Sequence, residues 1–363
     1  MSYRMLQIGV GGYGKLWSEQ FVPPNIADGL IEVVGIADTD TTALKAAQAF
    51  HNLSDEVCFI SAAELVAKVR ADFVLISTPA WHHEEHIRLS IAAGLRVLCE
   101  KPVADTMEAT IRVHELVKKA GTKLAMTMTH RFDQPNTTFR NTLRSGLDGP
   151  LDYLVFRQTG ELRKYGAWAA FRHELPDVML GEAGIHHFDM IRDLAGADCA
   201  TIFARSWTPP WGEFKGDANV LAIATFQNGV KLSYEGTSCN AVAINPYFKA
   251  YVRAECENGV IVLSHGEVER HRHDPTRQRG SRKEGEGEPI PAAQQTKFGN
   301  VWLIDRFVRW LDGGGEMETS IETHVKSQAM VYAAIRSVHT GREIDVAEFI
   351  EEHRLAVRRA SAA

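Results

Sequence analysis

The chain has 363 residues, 45% of them hydrophobic and 24% charged, the balance of an ordinary folded protein with room for about two cores. A formal net charge of −6 excludes a general affinity for nucleic acid or an anionic membrane surface, and no apolar run reaches the ~18 residues of a membrane span. The five cysteines (Cys58, Cys99, Cys199, Cys239, Cys256) are scattered with no Cys-x-x-Cys, and a strand begins almost at once. Both features predict a cytoplasmic protein with reduced core thiols and no signal peptide.

Arg4 to Val10 reads as a short strand that runs into Gly9-Val10-Gly11-Gly12-Tyr13-Gly14, a G-x-G-x-x-G turn. Glycines at this spacing permit a tight turn, close approach of backbone to a pyrophosphate, and close packing of the next helix. That helix would offer free N–H groups and its positive dipole end to the phosphates. A second apolar strand, Ile31 to Ala37, ends at Asp38, about 24 residues past the last glycine and near the spacing of the ribose-binding acid. A carboxylate there accepts from both ribose hydroxyls and repels a 2′-phosphate. Thr39, Asp40 and Thr41 bring no arginine to receive that phosphate, so NAD is predicted over NADP. A helix N-cap is the plainer reading of the same aspartate.

Ala62 to Val69 reads as a helix, and Phe73 to Pro79 as a buried strand ending in the polar turn Ser77-Thr78-Pro79. The next helix, through Ala93, opens with His82, His83, Glu84, Glu85 and His86. His82 and His86 share a helical face, but no third ligand is identifiable, and no metal is predicted. Leu95 to Cys99 is another buried strand, stopped by Pro102. Glu100 and Lys101 therefore sit at a carboxyl strand end, the edge where open α/β sheets bind ligands. A lysine there can polarise a hydroxyl or relay its proton; taken alone, the pair also reads as a solvated ion pair. Thr106 to Ala120 is a helix closed by Gly121, and Lys123 to Thr129 one more strand.

In this ordered set the chain resembles the Gfo/Idh/MocA oxidoreductases, the glucose–fructose oxidoreductase and inositol dehydrogenase family. There a glycine turn, a Thr-Pro turn with a nearby histidine, and Glu-Lys-Pro recur in this order, here Gly9 to Gly14, Thr78-Pro79 with His83, and Glu100-Lys101-Pro102. The resemblance implies a cofactor site from Gly9, Gly11, Gly12, Tyr13, Gly14, Asp38, Ser77, Thr78, Pro79, His83, Glu100 and Lys101. It also implies that Arg131 lies near the substrate pocket.

After Pro150 the pattern changes. Leu151 to Thr159, Thr201 to Trp207, Asn219 to Phe226 and Val230 to Ser238 read as strands, the last with period-2 alternation. Asn228-Gly229 and Asn258-Gly259 are type I′ hairpin signals, so an antiparallel sheet is predicted. Between the first two strands Glu182, His186 and Asp189 fall at i, i+4 and i+7, one face of a helix, where an acid could orient an imidazole. The segment resembles the family's D-x-G-x-H-x-x-D helix, which makes His186 the catalytic histidine working with Lys101 and puts Glu182 in the aspartate position. Glutamate for aspartate, and Pro176-Asp177-Val178 for the usual glycine triplet, are departures that bear on the pocket wall. Trp168, Phe171, Arg172 and His173 read as a pocket loop, with Trp168 and Arg172 suited to a sugar or polyol. His265 to Glu288, almost without apolar residues, reads as a mobile or arm-like insertion. Val301 to Leu311, Glu322 to Thr340 and Val346 to Arg359 read as helices.

The expected fold is α/β followed by α+β: an NAD(P)-binding Rossmann domain over 1–125, then a substrate-binding and oligomerisation domain over 126–345 with a large, mainly antiparallel open sheet, and a helical tail over 346–363. The expected function is NAD-dependent hydride transfer from a secondary alcohol of a sugar, polyol or related compound, with Lys101, His186 and Glu182 at the reaction. The resemblance implies a homodimer or homotetramer formed through the sheet. Two other readings stay open: a non-catalytic cofactor-binding regulator of the same fold, and a glycoside hydrolase that uses NAD for transient oxidation.

Overall fold

The computed structural model describes residues 2–276 and 280–362. They form two compact units: Met1–Thr129 with Lys297–Gln328 and His353–Ala363, and His130–Thr296 with Ala329–Glu352.

The first unit is built on six parallel strands, β1 (Tyr3–Ile8), β2 (Ile31–Ala37), β3 (Cys58–Phe59), β4 (Phe73–Ile76), β5 (Arg96–Cys99) and β6 (Leu124–Met126), in the order β3-β2-β1-β4-β5-β6. Strands covered by helices on both faces read as continuous apolar runs, and β4 is buried at every position. The order reverses between β1 and β4. This is the switch point at which such sheets leave a crevice outside the carboxyl ends of the strands. Helix limits follow local chemistry: Thr106 Oγ1 accepts from Ala109 N–H at 3.1 Å to open Met107–Ala120, and Gly121 at φ +61° closes it. Late segments of the chain return to this unit. Phe307 packs edge-on against Phe73 at 5.4 Å, Met126 N–H donates to Thr319 O at 2.8 Å, and His353 Nδ1 contacts Glu108 at 2.7 Å.

The second unit is a nine-stranded sheet. Its strands are β7 (Leu151–Thr159), β8 (Cys199–Trp207), β9 (Asn219–Phe226), β10 (Lys231–Thr237), β11 (Tyr251–Cys256), β12 (Gly259–Ser264), β13 (Glu267–Arg272), β14 (Glu288–Ile290) and β15 (Ile344–Asp345), in the order β14-β13-β12-β11-β7-β10-β9-β8-β15. Every pair is antiparallel except the central one, because β7 and β10 run parallel. The expected sheet is therefore mixed at its centre.

Both Asn-Gly pairs lie at hairpins, but neither makes a type I′ turn. At the first, Gly229 N–H donates to Phe226 O and Phe226 N–H to Val230 O, both at 2.8 Å, with positive φ (+87°) at Gly229 alone. That is a longer loop closed by a left-handed glycine. At the second, Glu257 and Asn258 make the turn and Gly259 already belongs to β12, where a Cβ would meet Asp148 Oδ1 at 2.6 Å. The charged insertion is also more ordered than its composition suggested. Part of it forms β13 and β14, with Val268 buried and Arg270 facing Asp148 and Glu288. Glu288 lies on β14, the edge strand, where charges are tolerated, and the buried Arg270 of β13 is matched by its two carboxylates. Arg277, Gln278 and Arg279, within the same insertion, lie outside the described residues.

Candidate active site

In the first unit the glycine turn follows β1 at the switch point. Gly9 has φ +87° and a Cβ there would meet Ser77 O at 2.7 Å; at Gly14 a Cβ would meet Gly9 O at 2.3 Å. These two glycines are required by packing. Gly12 has φ +51° with no atom within 4 Å of its would-be Cβ, so its need is conformational and its open side suits a pyrophosphate. The helix after it, from half-exposed Tyr13, has no side-chain cap and no acid in its first turn. A residue absent from the sequence expectations braces the turn: Gln7, wholly buried, donates through Nε2 to Gly9 O at 3.0 Å and Gly14 O at 2.9 Å. Ser77 Oγ adds a bond to Gly9 O at 2.7 Å.

Asp38 stands at the end of β2 as expected, but its carboxylate is already engaged. Oδ2 accepts from Val10 N–H at 2.7 Å and Gly11 N–H at 2.9 Å, and Oδ1 from Asp40 N–H at 2.8 Å. Three of about four acceptor positions are taken, which narrows the expected acceptance from two ribose hydroxyls to about one. The N-cap role falls to Asp40, whose Oδ1 accepts from Thr42 and Ala43.

Ser77, Thr78 and Pro79 follow β4, and Glu100 and Lys101 follow β5, the neighbouring strand. His83 was expected among the cofactor contacts, and instead it ties these two loops together. It is fully buried, with Nδ1 2.8 Å from Pro102 O and Nε2 2.7 Å from Thr78 O. Two carbonyls favour the doubly protonated ring, but burial dominates and lowers its pKa to about 4. Glu100 likewise is no solvated ion-pair partner. Oε1 accepts from Trp17 Nε1 at 2.8 Å, Oε2 from Lys101 N–H at 3.0 Å, and burial raises its pKa. The effect of this cage is to fix the backbone from which half-buried Lys101 projects.

In the second unit the expected helix is not α-helical throughout. Met179–Gly184 is π-helical and Ile185–Ala195 α-helical. A π turn bonds i to i+5, so the stretch that carries Glu182 is wider per turn than the α-helix that carries His186 and Asp189. The Glu182 carboxylate is held by Arg172 Nε at 2.8 Å, and the Arg172 guanidinium lies over Trp168 at 5.3 Å and Phe171 at 4.6 Å. The expected pocket loop and the expected acid thus form one assembly.

Beside His186, 7% exposed, lies His130, whose ring is stacked on it at 4.6 Å and 15° and meets Tyr247 edge-on at 4.7 Å. His187, next in sequence, is structural: its nitrogens contact Tyr234 Oη at 2.9 Å and Gln158 Oε1 at 2.8 Å, and burial holds its pKa well below the ordinary value. Arg131 was expected near the substrate. It is buried, pairs with Asp189 through both Nε and Nη2, and reaches Asp193 at 2.8 Å through Nη1. Two carboxylates already engage it, Asp193 being shared with Arg140 and Arg144, so it anchors the His130 segment to the His186 helix. A cavity of about 280 Å³ adjoins His130, lined among others by Asp133, Asn136, Tyr247, Phe248 and Lys249. Burial raises the Asp133 carboxyl to about 7.

The metal-like histidines on the first unit make ordinary contacts: His82 and His86 stack at 5.9 Å, and His86 Nδ1 lies 3.1 Å from Thr78 Oγ1. Among the described residues no group of three or more His, Cys, Asp or Glu could hold a metal ion, and no helix is long and apolar enough to cross a membrane.

Residues 6–128 match the oxidoreductase family with an NAD-binding Rossmann fold, and residues 148–346 match the C-terminal alpha/beta domain of the same family. A protein of Sinorhizobium fredii with no assigned activity is 40% identical over 355 residues, covering 98% of this chain and 99% of that one. An inositol 2-dehydrogenase of Saccharopolyspora erythraea is 28% identical over 355 residues, 93% of this chain and 94% of its own. The crystal structure of an oxidoreductase from Agrobacterium radiobacter, in complex with NAD+, L-tartaric acid and magnesium, superposes with a TM-score of 0.80 at 21% identity, covering 96% of this chain and 99% of that one.

Proposed function

The chain belongs to the Gfo/Idh/MocA oxidoreductase family, and from that premise we propose that it is an NAD-dependent dehydrogenase of a secondary alcohol in a sugar, polyol or related compound. The observation that carries this reading is the convergence of three turns on one sheet edge. Gly9–Gly14, Ser77-Thr78-Pro79 and Glu100-Lys101 follow β1, β4 and β5, adjacent parallel strands. Bound NAD supplies the hydride acceptor. The open glycine turn receives its pyrophosphate, and Asp38 faces the adenosine ribose and disfavours a 2′-phosphate.

Lys101, on its caged backbone, lowers the pKa of the substrate hydroxyl by its positive charge, and His186 takes the proton. Glu182, clamped by Arg172, shapes the wall behind His186, and Trp168 beside it offers a flat apolar surface to a sugar ring. The inositol 2-dehydrogenase likeness, which spans nearly the whole chain, supports the substrate class. Five free thiols suit the reducing cytoplasm. Leu221 and Ile223, exposed on β9, support self-association through the sheet.

The test is a screen of sugars and polyols with NAD and NADP, read by absorbance of the reduced cofactor. A substrate oxidised with NAD and lost in Lys101→Ala is the expected result. Sugar release without net NADH would replace this reading by the hydrolase, and cofactor binding without any turnover by the regulator.

A further inference from the structure

Nothing in the family's ordered motifs involves His130, yet its ring is the one laid flat on His186. Stacking at 4.6 Å and 15° has two physical consequences. First, a flat partner fixes the plane of an imidazole, and so the direction in which its ring nitrogens point. Second, two imidazolium ions at that separation, both in buried residues, repel strongly because little water lies between to screen them. The pair is therefore disposed to hold one proton and to refuse a second.

His130 is itself well fixed. Tyr247 meets it edge-on at 4.7 Å, Phe248 lies at 6.1 Å, and Asn136 Nδ2 donates to its carbonyl oxygen at 2.8 Å. The residue following it is Arg131, locked to Asp189, which is one turn along the His186 helix.

We propose that His130 is a positioning residue for the reaction, one that orients the His186 imidazole and keeps it in its neutral, proton-accepting form at neutral pH. The inference deepens the proposed role of His186 and rests on it.

The charged and titratable groups around the pair come from several elements. Tyr247 stands 6.4 Å from the His186 ring, and His187 6.3 Å from the His130 ring. Asp133 and Lys249 line the cavity on the His130 side. The Arg131–Asp189–Asp193 cluster joins the two backbones, and the Glu182–Arg172 pair precedes His186. Asp193 also pairs with Arg140 and Arg144, so three guanidiniums and two carboxylates leave that cluster with one net positive charge, which adds to the refusal of a second proton, while the Glu182–Arg172 pair is internally neutral. Asp133, where ionised, favours placing the pair's single proton on His130 and so supports a neutral His186, and Lys249 reinforces the refusal of a second proton. His187 is buried neutral, and so leaves the count of protons unchanged in the range concerned.

The experiment uses the full chain labelled with 15N at histidine, so that ring titration is read by NMR without reference to activity. In the unsubstituted protein His186 and His130 should titrate in two steps separated by about one pH unit or more. In His130→Phe, which keeps a flat partner but no titratable group, His186 should titrate once, about one unit higher. The acid limb of turnover should move up by the same amount while turnover at pH 8 stays within a few-fold. His130→Ala should lower kcat about tenfold or more with KM little changed, because the plane of His186 is lost, and phenylalanine should restore most of it.

An unmoved His186 titration in His130→Phe overturns the proposal. Equal losses in the Phe and Ala variants at pH 8 also overturn it, since a flat partner would then be irrelevant. A shifted NMR titration with no shift in any turnover profile leaves the stacked pair intact but removes His186 as the base, which separates failure of the reading it rests on from failure of this one.

Discussion

The replacement Asp38→Asn asks the sharpest question of the cofactor half. In the native loop one carboxylate serves three backbone donors, Val10 and Gly11 at Oδ2 and Asp40 at Oδ1. An amide has one oxygen and one NH2 group. Whichever way it is turned, at least one loop N–H then faces a donor. A hydrogen bond to a charged group is worth about 1.5–3 kcal/mol, and a stranded donor costs about 1–3 kcal/mol. The loop should lose on the order of 2–3 kcal/mol of organisation. Because the same turn is proposed to hold the dinucleotide, the dissociation constant for NAD should rise roughly 30- to 150-fold. NADP should weaken less, since the substitution also removes the charge that repels its 2′-phosphate, and the preference for NAD should narrow. Calorimetric titration with each cofactor measures the affinities, and hydrogen exchange at the Val10 and Gly11 amides reports the loop itself. An NAD affinity within twofold of the unsubstituted protein, with unchanged exchange at both amides, would refute the capping argument. Equal affinities for NAD and NADP in the unsubstituted protein would refute the charge argument.

Lys101→Ala and His186→Ala should each lower turnover by about 10²–10⁴-fold; by calorimetry the second should leave NAD affinity nearly unchanged, and an ordinary rate in it would reduce His186 to a packing residue. Arg131→Ala removes the two-point partner of Asp189, whose side chain is 1% exposed, while Asp193 keeps Arg140 and Arg144, and should cost about 3–5 kcal/mol in urea unfolding; a loss under 1 kcal/mol would return Arg131 to the substrate pocket. Burial holds His83 at about 4 against an ordinary 6.5. The unfolded chain therefore binds a proton that the folded one refuses, and this contribution is complete above pH 6.5 and lost as the pH falls toward 4, about 2 kcal/mol of it by pH 5. Urea midpoints at pH 7 and 5 should differ less in His83→Gln, and an unchanged difference would sink the assignment. Sedimentation at micromolar concentration should show an oligomer, dispersed by Ile223→Glu on the open face of the sheet; a clean monomer before substitution would remove the interface.

What was legible in the sequence was whatever depends on neighbours along the chain. Five of the six parallel strands follow from apolar runs and breaking residues, the two-residue β3 being the one missed, and the glycine turn from its own spacing. What was hidden depends on neighbours in space. Nothing near Gln7 in sequence announces that its amide will brace Gly9 and Gly14. His130 and Tyr247 are far apart in the chain and meet only because β7, β10 and β11 bring the loop after β10 back over the segment after β6. Around Glu182 the departure is local: the i, i+4, i+7 spacing reads as one α-helix, and Met179–Gly184 is π-helical instead, which nothing in the spacing marks. Arg131 shows the limit of analogy by position, since only Asp189 and Asp193 disclose that its charge is already spoken for. Asp38 was placed correctly at the end of β2, but its three donors come from backbone N–H groups, which every residue carries and no sequence pattern distinguishes.

The parallel pairing of β7 with β10 also governs how this chain can be made. On a ribosome β7 emerges long before the strands that flank it: its Arg157 meets Glu235 of β10 across 78 residues, and its Tyr153 meets Arg253 of β11 across 100. Throughout that interval a nine-residue strand with two unpaired edges waits in a nascent chain, a template for pairing with any other extended segment. Contacts so distant in sequence make assembly of this half slow. The first six strands need not wait, since their pairings are complete by Met126. Synthesis thus proceeds with the sheet of the cofactor half already paired, its covering segments 297–328 and 353–363 still to come, and a substrate half still exposed; the vulnerable stage of this protein's life is the span in which β7 has been made and β11 has not.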